Sequence, residues 1–279
     1  MVPRVLTLVV CFLLQAIARA YAAQVPFRTT EDENGCPTGI HVVGVRGTLE
    51  KPGFGAMQPL VDKLLADIPD SDSFAIDYPA AGIIIEDDKP IYQPLEYIHS
   101  VKAGRKKLSA ELIDFTSSCP NTSIVLMSYS QGAQVAGDVL CGSTFPFFGW
   151  WRAMEDEDKA NIKAFVTLGD PRNNRGTPVH AGSSTKDGLF VRMRFKNCGA
   201  NTISSWRTYC DANDTFCDHG ESIEAHLRYV PKYFDDIIGF IKGKLAKAVK
   251  DKGAIAIVEA LEKTAQIGIS VCISSYADA

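Results

Sequence analysis

Two hydrophobic patterns alternate along this chain. Short continuous apolar runs are typical of strands buried on both faces, and stretches with apolar residues three or four apart predict amphipathic helices. Within Ala56–Ile68, for example, Leu60, Leu64 and Ile68 recur at intervals of four residues. We predict strands at Ile40–Val45, Phe74–Tyr78, Ile124–Met127, Ile162–Leu168 and Leu189–Phe195, and further helices at Ser100–Ser117, at Ala133–Leu140 and from Pro231 onward.

This alternation of strands and helices predicts an α/β protein whose parallel sheet is covered by helices on both faces. In such sheets, ligands bind beyond the carboxyl ends of the strands. With 279 residues, of which 46% are hydrophobic, the chain is long enough for one complete core and short for two. Functional residues are therefore expected directly after the predicted strands.

Ser130 stands at one of these positions. It is the central residue of the sequence Ser-Tyr-Ser-Gln-Gly at 128–132, between an apolar run and a predicted helix. A strand, a tight turn of small residues around a serine, and a helix match the nucleophile elbow of α/β hydrolases. In that turn the hydroxyl projects above the sheet, near the positive end of the helix. Ser128 stands where glycine is usual, and its small side chain suits that position. The alternative is that Ser130 lies in an ordinary polar turn.

A candidate acid and a candidate base follow this serine in the order that α/β hydrolases use. The segment Cys210–Cys217 contains Asp211 and Asp214, and its two cysteines can close a small disulfide loop that would hold an acid rigidly. His226 comes 12 residues after Asp214 and is expected on a loop, with His219 as the rival base. A serine, a histidine and an aspartate supply a nucleophile, a base and a group that fixes the imidazole tautomer.

From about Cys36 to about Phe240, the sequence resembles the cutinase and acetylxylan esterase family of serine esterases. The resemblance rests on five places: Cys36, Arg46-Gly47-Thr48, Cys119-Pro120, Tyr129-Ser130-Gln131-Gly132, and the block from Cys210 through Asp214 and Cys217 to His226. It implies an α/β-hydrolase three-layer sandwich with a central, mostly parallel five-stranded sheet. The serine elbow of this fold is not covered by a lid.

The resemblance also implies a role for individual residues. Ser130, Asp214 and His226 would form the catalytic set, with Asp211 as the competing acid. Thr48 and Gln131 would form the oxyanion hole. The expected disulfides are Cys36–Cys119 and Cys210–Cys217, whereas Cys141, Cys198 and Cys272 remain unassigned.

Two segments favour the acetylxylan esterase branch. Pro52–Gly55 and Leu168–Arg172 resemble that branch more than cutinases, although each could simply be a turn, and neither is expected to touch the chemistry. We therefore expect a secreted esterase that acts on acetyl groups of xylan. A cutinase acting on cutin or short acyl esters is the alternative, and a non-catalytic wall-binding protein of the same fold is a further one.

The ends of the chain predict targeting and an extension. Residues 1–22 read as a signal peptide, with Arg4, an apolar stretch Val5–Ile17 and a small-residue cleavage pattern. That stretch is shorter than the roughly 20 residues that cross a bilayer, so we expect no membrane span. Residues 23–245 would form the esterase domain and residues 246–279 a C-terminal amphipathic helical extension.

Charge and cysteine spacing exclude some functions. The formal net charge of −4 argues against a nucleic-acid partner, and the spacing of the cysteines does not match a metal site. We expect a secreted, extracellular monomer without metal or cofactor whose partner is its ester substrate. The aromatic segment Phe145–Trp151 could be an exposed platform for sugars or acyl chains, or a small core under a loop.

Overall fold

The computed structural model describes residues 35–86, 89–144 and 146–250 and shows a six-stranded parallel sheet. Every pair of neighbouring strands in this sheet is parallel, in the order β2-β1-β5-β6-β8-β7. The strands are β1 (Ile40–Val45), β2 (Asp72–Ala75), β5 (Ser123–Tyr129), β6 (Ile162–Leu168), β7 (His180–Ala181) and β8 (Trp206–Tyr209), and a separate antiparallel hairpin consists of β3 (Ile83–Glu86) and β4 (Lys89–Tyr92).

Helices cover both faces of the sheet. Alternate residues of β5 point to opposite sides, so that Ile124 and Leu126 join one hydrophobic core while Val125 and Met127 join another. The helices are α1 (Gln58–Asp67), α2 (Pro94–Ser118), α3 (Gln131–Cys141), α4 (Ala200–Ser205), α5 (Ile223–Leu227) and α6 (229–250). Helices α2 and α3 pack on the first core, and α1 and α6 pack on the second. The expected three-layer α/β sandwich is confirmed, with six strands instead of five.

Two predicted strands differ from the structure. Phe74–Tyr78 overlaps β2 (Asp72–Ala75) only at Phe74 and Ala75. Leu189–Phe195 is not a strand; its backbone instead pairs with the loop after β6, through bonds from Phe190 N to Pro171 O (2.8 Å) and from Arg192 N to Arg172 O (3.2 Å). The place beside β6 belongs to β8, a short strand of mixed polarity. Arg192 of this segment is buried, and its guanidinium binds Asp138 in α3, a contact with a distant residue that local apolar character does not predict.

Three disulfides link the described elements. Cys36–Cys119 and Cys210–Cys217 are present as expected. The third, Cys141–Cys198, joins the end of α3 to the segment before α4 and pairs two of the cysteines that the sequence left unassigned. Cys272 lies outside the described residues, as do Phe145, the predicted signal peptide and residues 251–279 of the predicted extension.

The described part of the chain contains neither a membrane-spanning helix nor a cluster of metal-ligating side chains. None of the helices there is long and apolar enough to span a bilayer. No group of three or more histidine, cysteine, aspartate or glutamate side chains in these same ranges is placed to hold a metal ion.

Candidate active site

Ser130 occupies a sharp turn between β5 and α3. Its backbone has φ 54° and ψ −118°. This conformation is strained for any residue other than glycine, and such strain is often found at functional sites. The turn is held by bonds from Ser130 N to Leu168 O (2.8 Å) and from Gln134 N to Ser130 O (3.1 Å). A Cβ at Gly132 would overlap the carbonyl oxygen of Val45, so glycine is required two residues after the serine.

The serine at position 128 fits where glycine is usual in this turn. Its residue is fully buried, and its hydroxyl donates a hydrogen bond of 3.2 Å to the carbonyl oxygen of Val166 on the neighbouring strand β6. A small side chain with a satisfied hydroxyl therefore leaves the turn intact.

Ser130, His226 and Asp214 form a continuous chain of hydrogen bonds. Ser130 Oγ lies 2.8 Å from His226 Nε2, and His226 Nδ1 lies 2.8 Å from Asp214 Oδ2. All three residues are buried. They come from the β5–α3 turn, from helix α5 and from the Cys210–Cys217 loop. The expectation that His226 lies on a loop was wrong, because the histidine is part of the short helix α5.

The surroundings of Asp214 keep it ionised. Burial alone would raise the pKa of this carboxyl, but the hydrogen bond and charge of His226, the Cys217 amide and the Tyr229 hydroxyl together lower the pKa below its ordinary value. Asp214 Oδ1 accepts bonds from Phe216 N (2.7 Å) and Cys217 N (3.0 Å). Oδ2 accepts a bond of 2.7 Å from the Tyr229 hydroxyl besides that of His226.

The two rival residues lie apart from this chain of bonds. Asp211 accepts hydrogen bonds from Lys232 Nζ (2.7 Å) and from the hydroxyls of Tyr233 (2.6 Å) and Ser183 (2.9 Å). His219 is exposed, and its Nδ1 is bonded to the carbonyl oxygen of Asp187 at 3.0 Å. The structure thus brings Asp214 and His226 to the serine, and places Asp211 and His219 elsewhere.

Residues to which the sequence assigned no role at the histidine fix the orientation of the His226 ring. Tyr129 stacks on it with 5.3 Å between ring centroids and donates a hydrogen bond of 2.8 Å to the His226 carbonyl. Phe216 packs edge-on at 4.6 Å. A Cβ at Gly169 would lie 2.7 Å from His226 Cε1, and this glycine has φ +60°. The expectation that the segment after β6 does not touch the chemistry was therefore wrong.

Gln131 and Thr48 border the same turn. The side chain of Gln131 is fixed by a bond from Ser100 Oγ (2.7 Å) and by one from Gln131 Nε2 to Ala81 O (2.8 Å). Its backbone amide opens α3 beside Ser130, with no hydrogen bond to another described residue. Thr48 follows Gly47, where an added Cβ would lie 3.3 Å from the Cβ of Ser130.

Glu50 organises the loop that carries Thr48. One carboxylate oxygen accepts a bond of 2.6 Å from Gly47 N, and the other accepts one of 2.6 Å from Ala56 N. The Arg46 guanidinium donates to the Glu50 carbonyl at 2.9 Å and to two carbonyls of the segment after β2. Because glutamate is common on surfaces, nothing in the sequence distinguished Glu50; its role depends on contacts across the loop.

An apolar pocket of about 360 Å³ opens beside the Ser130, His226 and Asp214 triad. Phe216, which packs on His226, forms part of its wall, as does Pro171 from the segment after β6. The other walls come from the hairpin, α2, the aromatic segment and the loop at 189–190, through Gly82, Ile83, Tyr92, Pro94, Tyr97, Ile98, Phe147, Phe148, Leu189 and Phe190.

The chain is similar in sequence to known esterases. The chain is 31% identical over 227 residues to acetylxylan esterase 2 of Talaromyces purpureogenus, which covers 80% of this chain and 94% of that protein. It is 31% identical over 217 residues to cutinase 11 of Verticillium dahliae, with 77% and 71% covered.

The fold is also similar to a solved structure, the catalytic core domain of acetyl xylan esterase from Trichoderma reesei. This domain matches the chain with a TM-score of 0.66 and 33% identity, over 75% of this chain and 99% of that domain. The family model described as cutinase matches residues 35–245. The chain therefore belongs to the cutinase family of carboxylic ester hydrolases.

Proposed function

We propose that this protein is a secreted serine esterase that works through an acyl-enzyme, with Ser130, His226 and Asp214 as its catalytic residues. The observation that carries the proposal is the buried chain of two 2.8 Å hydrogen bonds from the serine through the histidine to the aspartate. The three disulfides among the described residues are typical of an oxidising compartment and support secretion.

In the first half-reaction, Ser130 Oγ attacks the carbonyl carbon of the ester while its proton passes to His226 Nε2. The amides of Gln131 and Thr48, together with the Thr48 hydroxyl, donate to the negative oxygen that develops. Asp214 stabilises the imidazolium. The ester C–O bond then breaks, the alcohol leaves with the proton from His226, and the acyl group stays on the serine.

The second half-reaction reverses these roles. A water molecule gives a proton to His226 Nε2 and attacks the acyl carbon, forming a second oxyanion in the same hole. The bond to Ser130 Oγ breaks, and the serine recovers its proton from the histidine. The products are a carboxylic acid and an alcohol, and no co-reactant other than water is needed.

For the substrate, we propose acetyl groups on xylan. The similarity to two acetylxylan esterases, each over at least three quarters of this chain, supports this choice. The matching experiment compares acetate release from acetylated xylan with hydrolysis of p-nitrophenyl esters from acetate to octanoate. A steep fall in rate from acetate to butyrate supports the acetyl ester, whereas a preference for longer chains contradicts it.

The apolar pocket favours a second candidate, esters with a longer acyl chain such as those of cutin. Its volume of about 360 Å³ exceeds what an acetyl group fills, and its walls are almost wholly apolar. Leu49 and Leu227, immediately after Thr48 and His226, are exposed and add apolar surface near the site.

A bulky residue in the pocket separates the two candidates. Leu189→Trp should leave the rate on p-nitrophenyl acetate unchanged and lower the rate on the octanoate if the pocket holds the acyl chain. Leu95→Trp is the matched control, because Leu95 is exposed and does not line the pocket. Equal effects of Leu189→Trp on both esters would argue against the second candidate.

Labelling with a fluorophosphonate probe tests whether the protein is catalytic at all. The probe reacts with an activated serine, and Ser130→Ala should abolish the labelling. An unlabelled wild-type protein would instead favour the non-catalytic wall-binding alternative.

A further inference from the structure

A second and larger cavity lies at the opposite end of α3 from Ser130. Its volume is about 760 Å³, and residues 141–144, 150–157 and 192–194 form most of its lining. Helix α3 has 11 residues, so its two ends are roughly 16 Å apart at 1.5 Å per residue. The cavity is therefore separate from Ser130, and it has no lining residue in common with the apolar pocket. The mechanism above does not use it.

Buried charges beneath this cavity do not balance. Asp138 Oδ1 accepts bonds of 2.7 Å from both Arg172 Nη1 and Arg192 Nη1, and Asp138 Oδ2 binds Arg105. Asp170 is the second carboxylate, with its Oδ2 at 3.7 Å from Arg192 Nη2. Among the charged side chains that the structure describes in this cluster, three guanidinium groups thus share two carboxylates, an excess of one positive charge.

Arg192 links this excess charge to the cavity. It lines the cavity and is only 2% exposed, and its Nε and Nη2 have no hydrogen-bond partner within the described residues. Burial and the charge of Arg192 lower the pKa of Arg172 to about 10, which reflects the same crowding of positive charge. Burial also raises the pKa of Asp170.

The other charges around the cavity offset one another. Arg152 pairs with Glu155 at 2.7 Å, and Lys159 pairs with Asp156 at 3.0 Å. The remaining two lining charges, Arg194 and Glu157, have opposite signs. The net attraction for an anion therefore comes from the buried cluster and not from the rim.

Two tryptophans complete the lining. Trp150 is 74% exposed at the cavity, and Trp151 lies next to it with the Arg105 guanidinium 5.9 Å from its ring centroid. A large exposed indole offers a flat apolar surface beside polar groups, which suits a ligand with both a polar edge and a C–H face. Sugar rings have this character, and a carboxylate on the ring would be attracted by the excess positive charge of the buried cluster.

We propose that this cavity binds an acidic sugar, a hexuronate unit of a polysaccharide, with its carboxylate towards Arg192 and its ring against Trp150. The proposal concerns binding at a site remote from the triad, and it does not rest on the ester hydrolysis proposed above. Such a site would hold the protein on an acidic polysaccharide while the triad works on an ester nearby.

Isothermal titration calorimetry with trigalacturonate and with a neutral galactose trimer tests the proposal on the intact protein. The acidic trimer should bind at least about tenfold more tightly than the neutral one, and Trp150→Ala should weaken its binding by about tenfold. Phe147→Ala is the matched control, because Phe147 is 71% exposed on the same segment but lines the apolar pocket. That variant should bind trigalacturonate like the wild type, and so should Ser130→Ala whether or not the protein proves to be an esterase.

Several results would overturn the assignment. Equal binding of the two trimers, or no binding of either, would show that the cavity is not a site for an acidic sugar. Equal weakening by Trp150→Ala and Phe147→Ala moves the binding to the apolar pocket. Sulfate at matched ionic strength should bind at least about tenfold more weakly than trigalacturonate, and equal affinity would assign the cavity to small anions. Arg192→Gln, if thermal unfolding shows that it folds, should lose the preference for the acidic trimer; if it does not fold, the two trimers on the wild type decide.

Discussion

Replacing Asp214 by asparagine should invert the tautomer of His226. Two backbone amides point at Asp214 Oδ1, so the asparagine will place its carbonyl oxygen there and its NH₂ group where Oδ2 now lies. That NH₂ donates towards His226 Nδ1, which must then accept and carry no proton. The imidazole proton moves to Nε2, which faces Ser130 Oγ and can no longer take the proton of the serine.

The expected size of the effect follows from this change. Loss of the correct tautomer and of the carboxylate charge typically lowers kcat by about 10,000-fold, which corresponds to about 5.5 kcal/mol of barrier. KM should change little, because Asp214 is fully buried and does not face the substrate. The fold should survive, since asparagine preserves the volume and the two amide bonds to Oδ1.

The assay is kcat on p-nitrophenyl acetate near pH 7.5, with thermal unfolding as a check on folding. Asp211→Asn is the matched control in the same disulfide loop, because Asp211 binds Lys232 and Tyr233 and does not contact the histidine. Its kcat should stay within about threefold of the wild type, as expected for a structural contact remote from the reacting atoms. A loss of less than tenfold for Asp214→Asn, or a larger loss for Asp211→Asn, would refute the tautomer argument.

Variants at three further positions test the rest of the site. Ser130→Ala should abolish turnover and probe labelling without loss of thermal stability, and residual turnover at the wild-type rate would exclude this nucleophile. Thr48→Ala should lower kcat by about 100- to 1,000-fold while Thr48→Ser largely preserves it, because the hydroxyl survives; an effect on KM alone would leave Thr48 as a substrate-binding residue. Glu50→Gln keeps one side-chain oxygen that can accept from Gly47 N or Ala56 N, but it replaces the second oxygen with an NH₂ group, which cannot accept. The loop that carries Thr48 should therefore loosen, and kcat should fall with little change in KM. Glu50→Ala should fall further, and equal kcat in all three proteins would remove Glu50 as a positioning residue.

The core strands could be predicted because each is a local pattern. β1 and β6 match the predicted bounds, and β5 contains the predicted run, since strands buried on both faces appear as continuous apolar residues. β8 could not be predicted in the same way, because Trp206–Tyr209 is four residues long and includes Arg207. Leu189–Phe195 looked like a strand, but a charge that is buried with a distant partner overrides local propensity.

In the candidate site, too, residues within local motifs could be predicted, and residues that act through distant contacts could not. The serine, acid and histidine lie in motifs that can be recognised within a few residues. The roles of Tyr229 and Gly169 could not be predicted from sequence, because each acts on a residue distant along the chain, Tyr229 on Asp214 and Gly169 on His226. The same holds for the choice between acetyl and longer acyl groups, which depends on a pocket whose lining residues are spread along the chain from Gly82 to Phe216.

One buried ion cluster supports the walls of both cavities. Arg105, which binds Asp138, also donates a hydrogen bond of 2.9 Å to the carbonyl of Phe148, and Arg172 donates one of 3.1 Å to the carbonyl of Phe190. Both phenylalanines line the apolar pocket beside the triad, whereas Arg192 of the same cluster lines the cavity with Trp150. The aromatic segment is therefore neither a simple platform nor a simple core: Phe148 is buried, Trp150 is exposed, and the segment separates an apolar pocket from a positively charged one. Because charges buried together can be rearranged only at high cost, the cluster fixes the position of the apolar pocket relative to the second cavity.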